Sequence, residues 1–262
     1  MRLLLQPCYV LHRRPFRDSS VMLEILSAEH GRLSLVARGL SRRRSGGTLG
    51  ALLQPFRPLL LSFSGKGEML TLTAAEAAGE LAELRGNAML SGLYLNELLV
   101  RLLHRFVTHP SLFIAYANAL ADMSLQRSIE PILRRFEFAV LDELGYGVDL
   151  LHAGDSGESI RSEQSYRLIP QQGFSALSSP MHADRTRVFS GRDLLAMAAG
   201  DFASADSHSA KRLVRLLVQP YLGDVPLRSR SMFAAPAAPA DKPASVANTS
   251  KTRPSPHSDT VE

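Results

Sequence analysis

The sequence predicts an α+β chain: a small five-stranded barrel over residues 1–80, then a mainly helical region over 81–233 with a β-hairpin insertion at about 146–189. Three observations carry this. Residues 8–78 contain five short apolar or alternating runs, mostly separated by tight-turn signals. Residues 88–145 place apolar side chains at helical spacing, with prolines where helices open. Residues 146–189 turn Gly- and Ser-rich around one pair of short strands.

The first strand is expected at Tyr9–Arg13. Val21–Leu26 and Arg32–Arg38 flank Ala28-Glu29-His30-Gly31, a hairpin with Gly31 at its turn. In its second arm Leu33, Leu35 and Ala37 share one face. Phe56–Phe63 forms a fourth strand, closed by Ser64-Gly65-Lys66-Gly67, and Met69–Ala74 a fifth. Five such strands in about 70 residues suit a small barrel.

The helices follow. The stretch from Leu90 to Leu103 is apolar over too wide a face for a surface helix, so this one is central, with Glu97 and Arg101 spaced to pair at i, i+4. Pro110 opens a second helix and Pro131 a third, which ends at Gly145. Tyr166–Ile169 and Gly173–Ala176 form the hairpin across Pro170-Gln171-Gln172. Ser190 caps a helix that stops near Gly200, and a last helix spans about Ser209–Leu222. Residues 234–262 are Ala-, Pro- and Ser-rich and are expected to be disordered.

Composition narrows the function. At 45% apolar and 21% charged, 262 residues are neither a disordered chain nor a multi-span membrane protein. The apolar start Met1–Leu5 is broken by Gln6 and Pro7, too soon for a secretory core, and no run approaches a membrane span. A single cysteine, Cys8, excludes an internal disulfide and a cysteine-built zinc site. The expectation is a soluble cytoplasmic protein.

Charge is strongly uneven. Residues 1–67 hold eleven basic side chains against three acidic ones, whereas the whole chain is only +5. Ten of the eleven are Arg, which forks onto phosphate oxygens and stacks on bases. Arg38, Arg42, Arg43 and Arg44 stand on a Gly/Ser-rich loop leaving a strand, with no acid nearby in sequence. Such a loop delivers cations to successive phosphates and gains affinity by releasing counterions. Arg13, Arg14, Arg32, Arg57 and Lys66 complete the expected nucleic-acid surface. The competing reading is a basic face kept for solubility. Tyr9, Phe16, Phe56 and Phe63 are the candidate stacking rings, several of them expected in the core, so contact would be mainly electrostatic.

Arg134 and Arg135 on the third helix could hold an acidic, apolar peptide terminus, or could pair on the surface with Glu130, Glu137 and Glu143. Lys211, Arg212 and Arg215 form either a solvated face or a second DNA contact. No enzyme signature is found: the eight His form no H-x-x-x-H pattern, there is no P-loop, and nothing joins a nucleophile to a base. No catalytic residue, metal site or cofactor is therefore expected, and a nuclease or NTPase is the disfavoured rival.

Seven motifs in order resemble the RecO family of bacterial DNA repair proteins. They are Val10-Leu11-His12-Arg13-Arg14-Pro15-Phe16, Glu29 through Gly39, Leu53-Gln54-Pro55-Phe56-Arg57-Pro58-Leu59-Leu60-Leu61, Ser91-Gly92-Leu93-Tyr94-Leu95-Asn96-Glu97-Leu98-Leu99, Leu133-Arg134-Arg135-Phe136-Glu137, Leu144-Gly145-Tyr146-Gly147 and Pro226-Leu227-Arg228-Ser229-Arg230. The resemblance implies an N-terminal OB-fold and a helical C-terminal domain. It implies binding to single- and double-stranded DNA, strand annealing, and loading of RecA with RecR onto DNA coated by single-strand-binding protein. It also implies docking of that protein's acidic C-terminal tail, with Arg134 the matching residue. Many relatives carry four cysteines after Gly-Tyr-Gly, and this chain has none there, so the insertion must hold by packing. An RNA- or ribosome-binding barrel protein is the alternative.

Overall fold

A computed structural model describes residues 2–17, 19–39, 46–178, 184–223 and 225–234. The strands β1 (Arg2–Phe16), β2 (Ser20–Ser27), β3 (Gly31–Ala37), β4 (Leu59–Ser64) and β5 (Met69–Ala77) form a closed barrel in the order β1-β2-β3-β5-β4. β3 and β5 are parallel, the other pairs are antiparallel, and helix α1 (Gly46–Leu52) lies between β3 and β4 in sequence. This is the OB topology. Val10, Leu23, Ile25, Leu33, Leu35, Leu61 and Phe63 fill the interior, each essentially inaccessible.

β1 is three times as long as its expected five residues. Its second half pairs with β2 and its first with β4, so one strand closes the barrel. Pro7 is tolerated because a ladder needs nothing from its missing N–H, and its carbonyl accepts from Ala28 N at 3.0 Å. The fourth strand begins at Leu59 rather than Phe56. Phe56 takes φ 70° and turns its ring into the helical core. The segment expected to be loop at Gly46 and Gly47 is α1.

The helices α2 (Asn87–Leu102), α3 (Pro110–Ser124), α4 (Ile129–Glu143) and α6 (Ser207–Leu222) surround one core. α4 starts three residues before Ile132, with Pro131 still inside the first turn, where its N–H has no helical partner to lose. Gly145 follows it at φ 71°. The insertion is more than a hairpin. β6 (Ser165–Ile169) pairs with β7 (Gly173–Ala176) on one side and with β8 (Val188–Ser190) on the other. A second core beneath this sheet includes Phe174 and Phe189, edge to face at 5.7 Å, and Leu194 of α5 (Gly191–Ala198). Ser190 caps α5 as expected, accepting from Asp193 N at 3.1 Å.

Barrel and helices share a core. Tyr9 and Leu11 leave the barrel wall, and the Tyr9 ring meets Tyr116 edge-on at 5.1 Å. Asn96 donates to the Leu11 carbonyl at 2.9 Å and accepts from the Tyr116 hydroxyl at 2.5 Å, all of it buried. A short helix that the sequence pattern does not announce, α7 (Arg228–Ala234), folds back on α2. Residues 235–262, with the expectation made for the tail, lie outside the described residues.

Candidate nucleic-acid interface and peptide groove

The barrel register gathers part of the expected basic surface at one end. Arg14 stands opposite Met22, which stands opposite Val36. Phe16 pairs with Ser20, and Arg38 follows Ala37, the partner of Val21, so β1 and β3 deliver Arg14 and Arg38 to the same rim about two strand spacings, ~10 Å, apart. Arg13 is half-buried there and donates to the Gly50 carbonyl of α1 at 3.0 Å. Arg14 is exposed, its Nη2 3.0 Å from the Met22 sulfur, and Arg17 lies over the half-buried Phe16 ring at 5.2 Å. Arg42, Arg43 and Arg44, which follow Arg38 in sequence, lie outside the described residues.

Other candidates go elsewhere. Lys66 is exposed on the β4–β5 turn. Arg57 is half-buried ahead of β4, reaching toward the Gly79 carbonyl at 3.5 Å. Arg32 is internal. Its Nη1 lies 2.7 Å from Glu24 Oε2 and its Nε donates to the Leu103 carbonyl at 2.9 Å, so it bolts the barrel to the α2–α3 connection and is not presented to a ligand. Glu24 stands in none of the seven motifs, and only the pairing of β2 with β3 brings it to Arg32. Of the four candidate rings, Tyr9, Phe56 and Phe63 are buried, leaving only Phe16 near the basic rim.

On the helical side, α2, α4, α6 and α7 enclose a cavity of about 290 Å³. Tyr94, Ile129, Leu133 and Phe233 form apolar walls, and Arg134, Lys211 and Arg215 bring positive charge against the carboxylates of Glu130 and Glu137 in the same lining. Arg134 is almost wholly buried: its Nη1 sits 2.8 Å from Glu137 Oε2 and its Nε 3.7 Å from Glu130 Oε2. The Tyr94 hydroxyl donates to Glu137 Oε1 at 2.5 Å. The expected surface pairing of Arg134 is therefore a buried one. Arg135 points away, exposed, 4.0 Å from Asp122. Lys211 is only 3.8 Å from Glu130, and Arg215 is exposed with no acid within ion-pair reach among the described residues. Arg212 is structural, donating to the Val188 carbonyl at 2.6 Å and covering the Phe189 ring at 4.5 Å. The basic trio of α6 thus divides, two toward the groove and one into the small sheet.

Both regions map onto known families. Residues 1–80 match the model described as recombination protein O, N terminal, and residues 84–231 match recombination protein O, C terminal. This chain belongs to the recombination protein O family. Similar relatives include the DNA repair protein RecO of Azoarcus sp. (strain BH72), 46% identical over 230 residues, covering 87% of this chain and 94% of the relative. RecO of Aliivibrio salmonicida (strain LFI1238) is 43% identical over 87% of this chain and 94% of its own. RecO of Haemophilus influenzae (strain KW20 / Rd) is 43% identical, covering 87% and 95%. A RecO chain serves DNA repair and recombination, and among the described residues of this one no helix is long and apolar enough to cross a membrane.

Proposed function

We propose that this protein is a non-enzymatic recombination mediator that binds single- and double-stranded DNA through the barrel rim and anneals complementary strands. With RecR, it helps load RecA onto DNA coated by single-strand-binding protein, acting in the cytoplasm at the nucleoid. The observation that carries the reading is the placement of Arg13, Arg14 and Arg38 at one end of the barrel, just ahead in sequence of Arg42, Arg43 and Arg44. Several cations beside a single half-buried ring, Phe16, suit a protein that holds phosphate chains of any sequence. The groove beside Arg134 supports the second half of the reading. Its cations suit the carboxylates, and its apolar walls the hydrophobic end, of the acidic tail of single-strand-binding protein.

The deciding experiment is annealing of complementary strands, bare and precoated with single-strand-binding protein. The native protein accelerates both, and Arg134→Ala loses acceleration only on coated strands. No acceleration of bare strands, or a large preference for RNA over DNA of equal length, rejects the mediator reading in favour of an RNA-binding one.

A further inference from the structure

The segment after α6 is clasped at one end and forms a groove wall at the other. Arg101 of α2 reaches the carbonyls of Leu222 and Val225, the latter at 2.9 Å. Four residues earlier, Glu97 accepts from Arg228 N at 2.8 Å and from Ser229 N and Oγ at 2.8 and 2.6 Å. Burial by itself would raise the Glu97 pKa, but these bonds and the Arg101 charge outweigh it and hold the group below the ordinary glutamate range. Leu227 inserts into the helical core. The pair expected to bridge within α2 instead anchors the chain's C-terminal strap.

α7 has seven residues, too few to be stable alone, so its position depends on this clasp. Its last turn is not in the core: Met232 and Phe233 are 49% and 45% exposed. Phe233 nevertheless lines, together with Tyr94 and Leu133, the cavity that holds Arg134. A large apolar ring left half in water on a cavity whose three basic residues outnumber its two acids, Glu130 and Glu137, is a surface that gains by being covered. At about 290 Å³ the cavity is at the small end of ligand pockets, sized for one or two side chains at a peptide's end rather than for a helix.

We propose that Phe233 is a peptide-binding wall of this groove, closing on the apolar terminal side chain of an acidic peptide while Lys211 and Arg215 meet its carboxylates, and that Glu97 is the positioning residue that holds α7 in place for this. The inference rests on the reading that the groove takes the tail of single-strand-binding protein. It adds a wall, and a residue acting through that wall, on elements other than α4.

The test is fluorescence anisotropy with a fluorescein-labelled peptide of that acidic tail. Phe233→Ala weakens binding about tenfold, as for a truncated aromatic anchor, and Phe233→Tyr restores it. Glu97→Gln weakens binding several-fold. The double variant binds no more weakly than Phe233→Ala alone, because Glu97 acts through the ring. If Glu97→Gln does not fold, Ser229→Ala takes its place in the cycle. Single-stranded DNA affinity is unchanged throughout, reporting an intact barrel. A native protein that binds peptide with Phe233→Ala unaffected overturns the wall, and additive losses overturn the role of Glu97. A native protein that does not bind the peptide overturns the tail reading and this inference with it.

Discussion

Arg32 and Glu24 meet on the outer face of the β2–β3 hairpin at 2.7 Å, and the pair holds the barrel to the helices. The carboxylate is fully used: Ser34 Oγ donates to its Oε1 at 2.6 Å, and Arg105 approaches the same oxygen at 3.2 Å. Arg32 also receives the α2–α3 connection, since Phe106 N donates to its carbonyl at 3.1 Å. Removing Glu24 leaves the Arg32 charge, 14% exposed, without a carboxylate, and removing Arg32 leaves Glu24, 11% exposed, with only the longer ion pair to Arg105. Glu24→Ala and Arg32→Ala should each cost about 3 kcal/mol in urea unfolding. Single-stranded DNA affinity should stay within about twofold of native when measured on the folded variants. A variant Arg32→Ala that keeps its stability and loses DNA affinity would return this residue to the binding surface.

The neighbouring Gly31 tests the same junction sterically. Its φ is 66°, and a Cβ there would lie 1.8 Å from the Val107 carbonyl oxygen. Alanine in a left-handed turn costs ~1 kcal/mol by itself. Gly31→Ala should cost at least about 3 kcal/mol, because the hairpin must also back away from the α2–α3 connection. A loss of only ~1 kcal/mol in urea unfolding would mean that the turn and Val107 are not in contact.

Local pattern makes some of this legible and distance in sequence hides the rest. β2 and β3 are readable because Leu23, Ile25, Leu33 and Leu35 alternate into the barrel interior. The cap at Ser190 and the turn at Gly145 are readable because a cap is a one-residue decision. β1 reads short because Gln6 and Pro7 break the apolar run, whereas the strand is defined by two different partners, β2 and β4. β8 forms only because β6 offers it an open edge. α7 has almost no apolar period, and it exists through Glu97, 131 residues away from Arg228. The charges follow the same rule. The Arg-rich run announces itself, but Arg32 turns away from solvent through Glu24, which only the strand register brings near, whereas Glu137 is local to Arg134 at i, i+3 and what the sequence hides is the burial of that pair.

Cys8 reports on barrel closure. It is the residue at which β1 changes partner, paired with Ser27 on one side and Leu59 on the other, and it is 1% exposed. Burial pushes its thiol pKa up to about 12, only partly offset by an interaction with Ser27. At pH 8 only about one thiol in ten thousand is then thiolate, the reactive form. Native protein should resist an aromatic disulfide reagent over minutes at pH 8 and react with one equivalent at once in denaturant. Immediate stoichiometric labelling of the native chain would show that β1 does not close the barrel.

Arg42, Arg43 and Arg44 distinguish specific from general charge. If Arg42, Arg43 and Arg44 each neutralise one phosphate, each contributes about 0.7 to the slope of log affinity against log salt for a single strand. Changing all three to Ala should lower that slope by about 2 and weaken binding at low salt far more than at high salt. Arg57→Ala is the matched control. Arg57 carries the same charge on the same barrel, but it lies ahead of β4 beside Gly79 rather than at the rim that carries Arg14 and Arg38. Its removal should leave the slope unchanged. A triple variant whose slope matches native, or an Arg57→Ala slope that falls by as much per charge as the loop's, would mean that net charge and not the rim governs DNA binding.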